Sequence, residues 1–193
     1  MDAAQTMLKT RSPLDLTAIA VARAAGAAPP SFYVYFADVR ALMLALSDSA
    51  ADSLMAVADA FAVDWPPPHP NAWATDFVTS FVAAWCANAE VLAYRNLEAD
   101  RGDVAFDASR VQSSLPILTA LTDRMMAAYP AGQSPRRVEC FAEAVILYAG
   151  MERLAAVSLV TRPGQLQPHH YVAAFARMIA NAVAPPAASA DGA

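Results

Sequence analysis

Two adjoining stretches near the N-terminus decide how this sequence is interpreted: LTAIAVARAAG at residues 16–26 and AAPPSFYVYF at residues 27–36. Thr17 can cap a short helix by accepting a backbone hydrogen bond, and Gly26 suits the turn that ends it. A proline at position 29 or 30 fits the first turn of a second short helix, which ends near Phe36. Two short helices joined by a glycine turn predict a helix-turn-helix motif, whose second helix enters the major groove of DNA.

The same residues resemble the TetR family of bacterial transcriptional regulators. The turn VARAAG at residues 21–26, the segment SFYVYF at residues 31–36 and the helix start at residues 38–44 match the family's pattern. The resemblance implies an all-α fold, in which a three-helix helix-turn-helix DNA-binding domain precedes a larger helical domain for ligand binding and dimerisation. It also implies a homodimer that binds palindromic operator DNA, acts as a repressor and responds to a small effector.

The resemblance also implies which side chains reach the DNA. Four residues fall at family contact positions: Thr17, Ser31, Tyr33 and Tyr35. Arg40 joins them as a substitute cation. Hydroxyl groups at helix starts can donate to phosphate oxygens without carrying a full charge. Arg40 is the possible substitute for a lysine that family members commonly place where this chain has Val39. Packing and capping of the motif is the alternative role for Tyr33 and Tyr35.

Composition favours a folded helical chain. Of 193 residues, 57% are hydrophobic and 16% are charged, which is too apolar for intrinsic disorder. Glycine occurs only 6 times and alanine is abundant, so helices are favoured over sheet. Two cysteines without CxxC spacing give no disulfide framework and predict a reducing cytoplasmic location. The longest uncharged runs are too short for a membrane-spanning helix, so no membrane partner is expected.

Charge weakens the case for DNA binding. The formal net charge is −5, and the first 48 residues hold four basic and four acidic side chains. Because phosphate neutralisation supplies most non-specific affinity for DNA, such a domain is expected to bind weakly. Ala28 also stands where family members carry the serine that caps the second helix. Two hypotheses follow: a ligand-responsive repressor, or a small-molecule-binding dimer with a degenerate helix-turn-helix that serves as a sensor, a sequestering protein or an enzyme.

Helical periodicity and prolines divide the chain further. We expect a helix-turn-helix domain at residues 1–48, a ligand-binding and dimerisation domain at 49–184 and a disordered tail at 185–193. Beyond the motif, helices are predicted from Asp38 to about Val63, from Asn71 past Trp85 and from Asn88 to Leu97. Further helices are predicted from Val111 to Tyr129, with a kink or restart near Leu115 because Pro116 lies inside it, from Arg136 to about Val160, and from Pro168 to about Val183. Residues 100–107 are predicted to form a loop.

The predicted helix from Arg136 to Val160 is apolar nearly all round, because two apolar stripes share it. The core of one chain can bury one stripe, and the second favours packing against another copy of the chain. The alternative is a central helix buried within a single chain. The predicted dimer-interface residues are Gly150, Leu154, Phe175 and Ile179.

Aromatic and methionine side chains in the larger domain predict an apolar effector pocket. The selected residues are Phe81, Trp85, Met125, Tyr148 and Met151. Such side chains can line an adaptable pocket for an apolar or aromatic molecule, although ordinary core packing is the alternative for each of them.

Signatures of catalysis and of cofactor binding are missing from the sequence. It contains no GxSxG elbow, no P-loop, no Rossmann glycine run and no HExxH motif. His169 and His170 are adjacent, so on a helix they cannot form an i, i+4 metal-binding pair. We therefore predict no cofactor, no metal site and no enzymatic activity.

Overall fold

A computed structural model describes residues 1–60, 69–129, 135–158 and 167–184. Every regular element in these ranges is helical, so the all-α prediction is confirmed. The helices are α1 (Asp2–Leu8), α2 (Ala18–Ala24), α3 (Phe32–Tyr35), α4 (Val39–Ala60), α5 (Pro70–Ala87), α6 (Ala89–Asp100), α7 (Val104–Ala127), α8 (Arg137–Ser158) and α9 (Pro168–Ala182). Short 3-10 turns lie at Pro13–Asp15 and Pro29–Ser31.

Contacts between residues divide the chain into two compact units. The first unit comprises Met1–Leu54 and Ala87–Ser113, and the second comprises Met55–Cys86 and Ser114–Ala193. The functional division expected from the sequence, at residues 1–48 and 49–184, stays a prediction. The predicted tail at 185–193 lies outside the described residues.

The helix-turn-helix of the first unit forms as predicted. The hydroxyl oxygen of Thr17 accepts a hydrogen bond from the Ala20 amide at 3.2 Å and caps α2. Gly26 then turns the chain with φ at +71°, a conformation that side chains with a Cβ atom rarely adopt. The apolar side chains that hold the motif together are Leu8, Leu16, Val21, Phe32 and Leu42, all of them buried.

Local capping also sets the start of the long helix α4. The carboxylate of Asp38 accepts a hydrogen bond from the Ala41 amide at 2.7 Å, as expected of a residue that precedes the first helical turn. The helix is described as far as Ala60, and its predicted end near Val63 lies outside the described residues. Helix α9 also matches its predicted span closely.

Three predicted boundaries are wrong. Helix α5 begins at Pro70 and not after a cap at Asn71, because proline suits the first turn of a helix. Helix α6 extends beyond Leu97 to Asp100. The loop predicted at 100–107 shrinks to residues 101–103, because Gly102 turns the chain with φ at +94° and α7 begins at once.

The restart predicted near Leu115 is also wrong, since α7 continues through Pro116, whereas the alternative of a kink there stays a prediction. Proline removes one amide donor from a helix and crowds the preceding turn. Here the residues that follow it, Ile117, Leu118 and Leu121, are buried. This tertiary packing stabilises the helix more than the proline weakens it.

By length and composition, α4 could span a membrane, and α5 with α6 would meet the same criterion as a bent pair. Half of the apolar window of α4 is buried inside the protein. Buried core helices meet this criterion too, so it is weak evidence for a membrane span.

Candidate functional site

The short helix α3 displays three consecutive large side chains. Phe32 is buried and anchors the helix, with its ring 5.5 Å from that of Tyr33 and 5.6 Å from that of Phe36. Tyr33, Val34 and Tyr35 are 61%, 77% and 79% exposed. We call these three residues the recognition surface. The Tyr33 ring nevertheless meets the Phe32 ring edge to face, so packing and capping of the motif stays the alternative to a binding role for the two tyrosines.

The other two predicted hydroxyl contacts lie near this surface in the chain. Thr17 is exposed, and its oxygen already accepts the capping hydrogen bond, so the hydroxyl hydrogen is the group left to donate. Ser31 is half-buried at the junction of the 3-10 turn and α3, and no side-chain cap forms there. Both residues lie in the first unit with the recognition surface.

Arg40, the predicted cation of the site, is held by a carboxylate. Its Nε atom donates to Oδ2 of Asp103 at 2.9 Å, and its Nη2 atom donates to both carboxylate oxygens at 2.6 Å. The guanidinium carbon also lies 5.4 Å from the centre of the Phe106 ring. The hydrogen bond between the two side chains raises the pKa of Arg40 and lowers the pKa of Asp103.

Asp103 has a second role that fixes its position. One carboxylate oxygen accepts hydrogen bonds from the amides of Ala105 and Phe106 at 3.0 and 3.3 Å, so Asp103 caps α7. Sequence reasoning missed this residue because it assigned residues 100–107 to a loop. The pair with Arg40 spans 63 residues of chain, and no local pattern signals it.

The remaining cations of residues 1–48 differ from Arg40. Lys9, Arg11 and Arg23 are exposed, and across the described ranges none of them forms an ion pair. They can therefore pair with an anionic partner directly, whereas Arg40 is already paired with Asp103.

The five residues predicted to line an effector pocket all lie in the second unit, and all are buried. Phe81 and Tyr148 meet edge to face, with ring centres 5.5 Å apart. The indole Nε1 of Trp85 is buried and has no hydrogen-bond acceptor. The prediction that these side chains bind an effector stays open, because burial is equally the mark of ordinary core.

A cavity of about 10 Å³ in the second unit has other walls. Its lining residues are Ala58, Trp73, Phe77, Ile117, Ala120, Leu121 and Arg124. Arg124 is buried with its guanidinium carbon 5.1 Å from the Trp73 ring centre, and burial lowers its pKa. This arginine was not among the predicted pocket residues, although its spacing from Ile117 and Leu121 on α7 places it on their buried face.

The predicted dimer residues pack within one chain. A Cβ atom on Gly150 of α8 would lie 2.5 Å from the Phe175 ring of α9, so glycine is what permits this close approach. Leu154 and Ile179 are buried as well.

Helix α8 also carries a stripe of exposed apolar residues, which we call the α8 stripe: Val138, Ala142, Val145, Ile146 and Ala149. Whether any of these residues meets a second chain stays a prediction.

Comparison with known proteins supports the fold alone. No protein-family model matches the sequence, and no curated protein is significantly similar to it. Solved structures do match: the TetR family regulator PfmR from Thermus thermophilus aligns with a TM-score of 0.63 and 12% identity, over 93% of this chain and 96% of its own. The fatty acid degradation regulator FadR from Bacillus halodurans aligns with a TM-score of 0.68 and 12% identity, over 93% and 91%.

A third structure agrees with these two. The TetR family repressor AlkX from Dietzia sp., implicated in biodegradation of n-alkanes, aligns with a TM-score of 0.55 and 15% identity, over 94% of this chain and 91% of its own. The chain has the TetR fold. This likeness of fold covers 93–94% of the chain.

The TetR fold of this chain brings Thr17, Ser31 and the recognition surface together in the first unit, and it collects the predicted pocket residues in the second. In the first unit Arg40 is paired with Asp103, so the side chain predicted to contact a DNA phosphate already has a carboxylate partner. Within the described ranges, no group of three or more histidine, cysteine, aspartate or glutamate residues is arranged to hold a metal ion.

Proposed function

We propose that this protein is a ligand-responsive transcriptional repressor that binds palindromic operator DNA as a homodimer in the cytoplasm. The observation that carries the proposal is the recognition surface. Three large side chains stand in solvent on the second helix of a helix-turn-helix, with buried Phe32 fixing that helix beneath them. A surface of this kind suits contact with the edges of bases in the major groove.

The α8 stripe supports a homodimer. Its residues recur at steps that follow one helix face, and Ile146 is 70% exposed. An exposed apolar stripe on a long helix favours burial against a partner, and a two-fold pairing of identical stripes is the simplest closed assembly. Two helix-turn-helix motifs related by a two-fold axis require a palindromic site.

An apolar or aromatic effector is the ligand that the second unit favours. Its core is rich in aromatic and methionine side chains, including Phe81, Trp85 and Met151. Methionine side chains adapt to apolar molecules more readily than branched aliphatic groups do, and aromatic rings supply a large apolar contact area. Because FadR is named for fatty acid degradation and AlkX for n-alkane biodegradation, straight-chain apolar compounds are the first to screen.

Selection from a random duplex library tests the proposed DNA binding. The wild-type chain should enrich a palindromic sequence with two half-sites, and the double variant Tyr33→Ala/Tyr35→Ala should lose that enrichment at least tenfold, since base contacts carry selectivity. Val104→Ala is the matched control, because Val104 is also strongly exposed in the first unit but lies outside the motif. Recovery of no shared sequence by a folded wild-type chain would refute the proposal.

One observation favours a second candidate function, a small-molecule-binding dimer whose helix-turn-helix no longer binds DNA. Arg40 is engaged by Asp103, and the first 48 residues carry no net positive charge. If this candidate is correct, the selection enriches nothing, while the purified chain still binds apolar compounds and remains dimeric.

A further inference from the structure

We propose that Asp103 is a positioning residue for the DNA-binding surface: its carboxylate occupies the edge of Arg40 that a DNA phosphate needs, so carboxylate and phosphate compete for this cation. The inference deepens the proposed function and rests on it for its biological role. The competition between the Asp103 carboxylate and a DNA phosphate for Arg40 can be tested on any duplex DNA.

The geometry leaves no room for both anions on the same edge. A guanidinium offers a planar fork of N–H groups, and carboxylates and phosphates both bind across that fork in a bidentate manner. In Arg40 the Nε and Nη2 donors are directed to Asp103 at 2.6–2.9 Å. The Phe106 ring, 5.4 Å away, further fixes the orientation of the guanidinium. A phosphate can gain the same bidentate contact only after Arg40 has moved away from Asp103.

Asp103 is a fixed acceptor and not a mobile counterion. The amides of Ala105 and Phe106 donate to one of its oxygens, so the carboxylate is held at the N-terminal end of α7 as its cap. Its side chain is also less exposed than that of Arg40, at 20% against 49%. The arginine is therefore the partner that must move when DNA binds.

The Arg40–Asp103 pair matters for DNA affinity because the first 48 residues hold few cations. Residues 1–48 hold four cations in all, and Lys9, Arg11 and Arg23 form no ion pair within the described ranges. Each phosphate neutralised by a protein changes the slope of log affinity against log salt by about 0.9. Release of Arg40 would add one such contact to each chain, against only three cations already available.

The test compares two variants of the full chain that remove the same charge from α7. Asp103→Asn keeps an acceptor for the capping hydrogen bonds but frees Arg40. Asp107→Asn is the control, because Arg110, its partner at 2.7 Å, remains bonded to Asp100 at 2.6 Å. Affinity for a random duplex and for the selected operator is measured as a function of salt, after circular dichroism has shown that each variant is folded.

We expect Asp103→Asn to bind both duplexes about 2- to 30-fold more tightly than the wild type at low salt. The salt slope should steepen by about 0.9 per chain, a change that a purely structural role for Asp103 would not produce. Asp107→Asn should change affinity less than twofold and leave the slope unaltered. The double variant Arg40→Ala/Asp103→Asn should lose the whole gain.

Equal affinity and slope for Asp103→Asn and Asp107→Asn would overturn the inference, and so would weaker binding by Asp103→Asn. If the wild type selects an operator but Asp103→Asn shows no gain, the proposed function stands and the inference fails. If no operator is selected but Asp103→Asn binds random DNA more tightly with a steeper slope, the inference stands and the proposed function fails. Absence of DNA binding in every variant overturns both.

Discussion

Single residues decide whether the recognition surface is presented correctly, and Gly26 is the most sensitive of them. Its φ of +71° is costly for a residue with a side chain, while no atom lies within 4 Å of the position a Cβ would take. Gly26→Ala should therefore lower the free energy of unfolding by about 1–2 kcal/mol through backbone strain alone. Gly26→Asn should lose less, because asparagine tolerates this conformation better. Urea denaturation checks both, and unchanged stability of Gly26→Ala would contradict the assignment of a strained turn.

Residues with local partners are also those that sequence reasoning placed correctly. Thr17 and Asp38 cap helices through amides three residues away, a range that a sequence pattern specifies. The partner of Arg40 lies 63 residues further along the chain, and only tertiary structure brings it near. The family resemblance thus predicted Arg40 as a phosphate contact but could not reveal that Asp103 already binds it.

At the scale of elements, the contact between α8 and α9 depends on Gly150. An added Cβ would lie 2.5 and 2.7 Å from two atoms of the Phe175 ring, so the ring would have to move. We expect Gly150→Ala to destabilise the protein, because overpacking costs about 1–3 kcal/mol and the gain in helix propensity is only about 1 kcal/mol. Phe175→Leu should be less harmful in the Gly150→Ala background than in the wild type. A double-mutant cycle in urea measures this coupling, and strictly additive effects would rule out the close contact.

Helix boundaries show where element-scale prediction fails. Pro116 is a strong local signal for a break, yet α7 continues because Ile117, Leu118 and Leu121 are buried beyond it. Asp103 has the opposite effect, since it caps a helix that begins inside the segment predicted to be a loop, residues 100–107. In both cases packing or a cap outweighs the pattern from which the prediction was made.

For the whole molecule, the decisive assembly question is whether the α8 stripe joins two chains. Ile146→Glu should weaken the dimer at least tenfold, because an unpaired charge would be buried at its interface. Val104→Glu places the same charge on a residue that is 81% exposed and belongs to the first unit, and it should leave the dimer intact. Sedimentation equilibrium distinguishes these outcomes. A wild-type chain that stays monomeric at high concentration would remove the basis for a palindromic operator.

Fluorescence anisotropy with the selected palindrome and a random duplex, measured across a salt series, shows whether the helix-turn-helix binds a specific DNA sequence. We predict that the palindrome binds at least about 100-fold more tightly than random DNA. The three cations of residues 1–48 that form no ion pair within the described ranges, Lys9, Arg11 and Arg23, predict a salt slope no steeper than about 5 for the dimer. Equal affinity for both duplexes, measured on a folded and dimeric protein, would contradict the claim and favour the small-molecule-binding alternative.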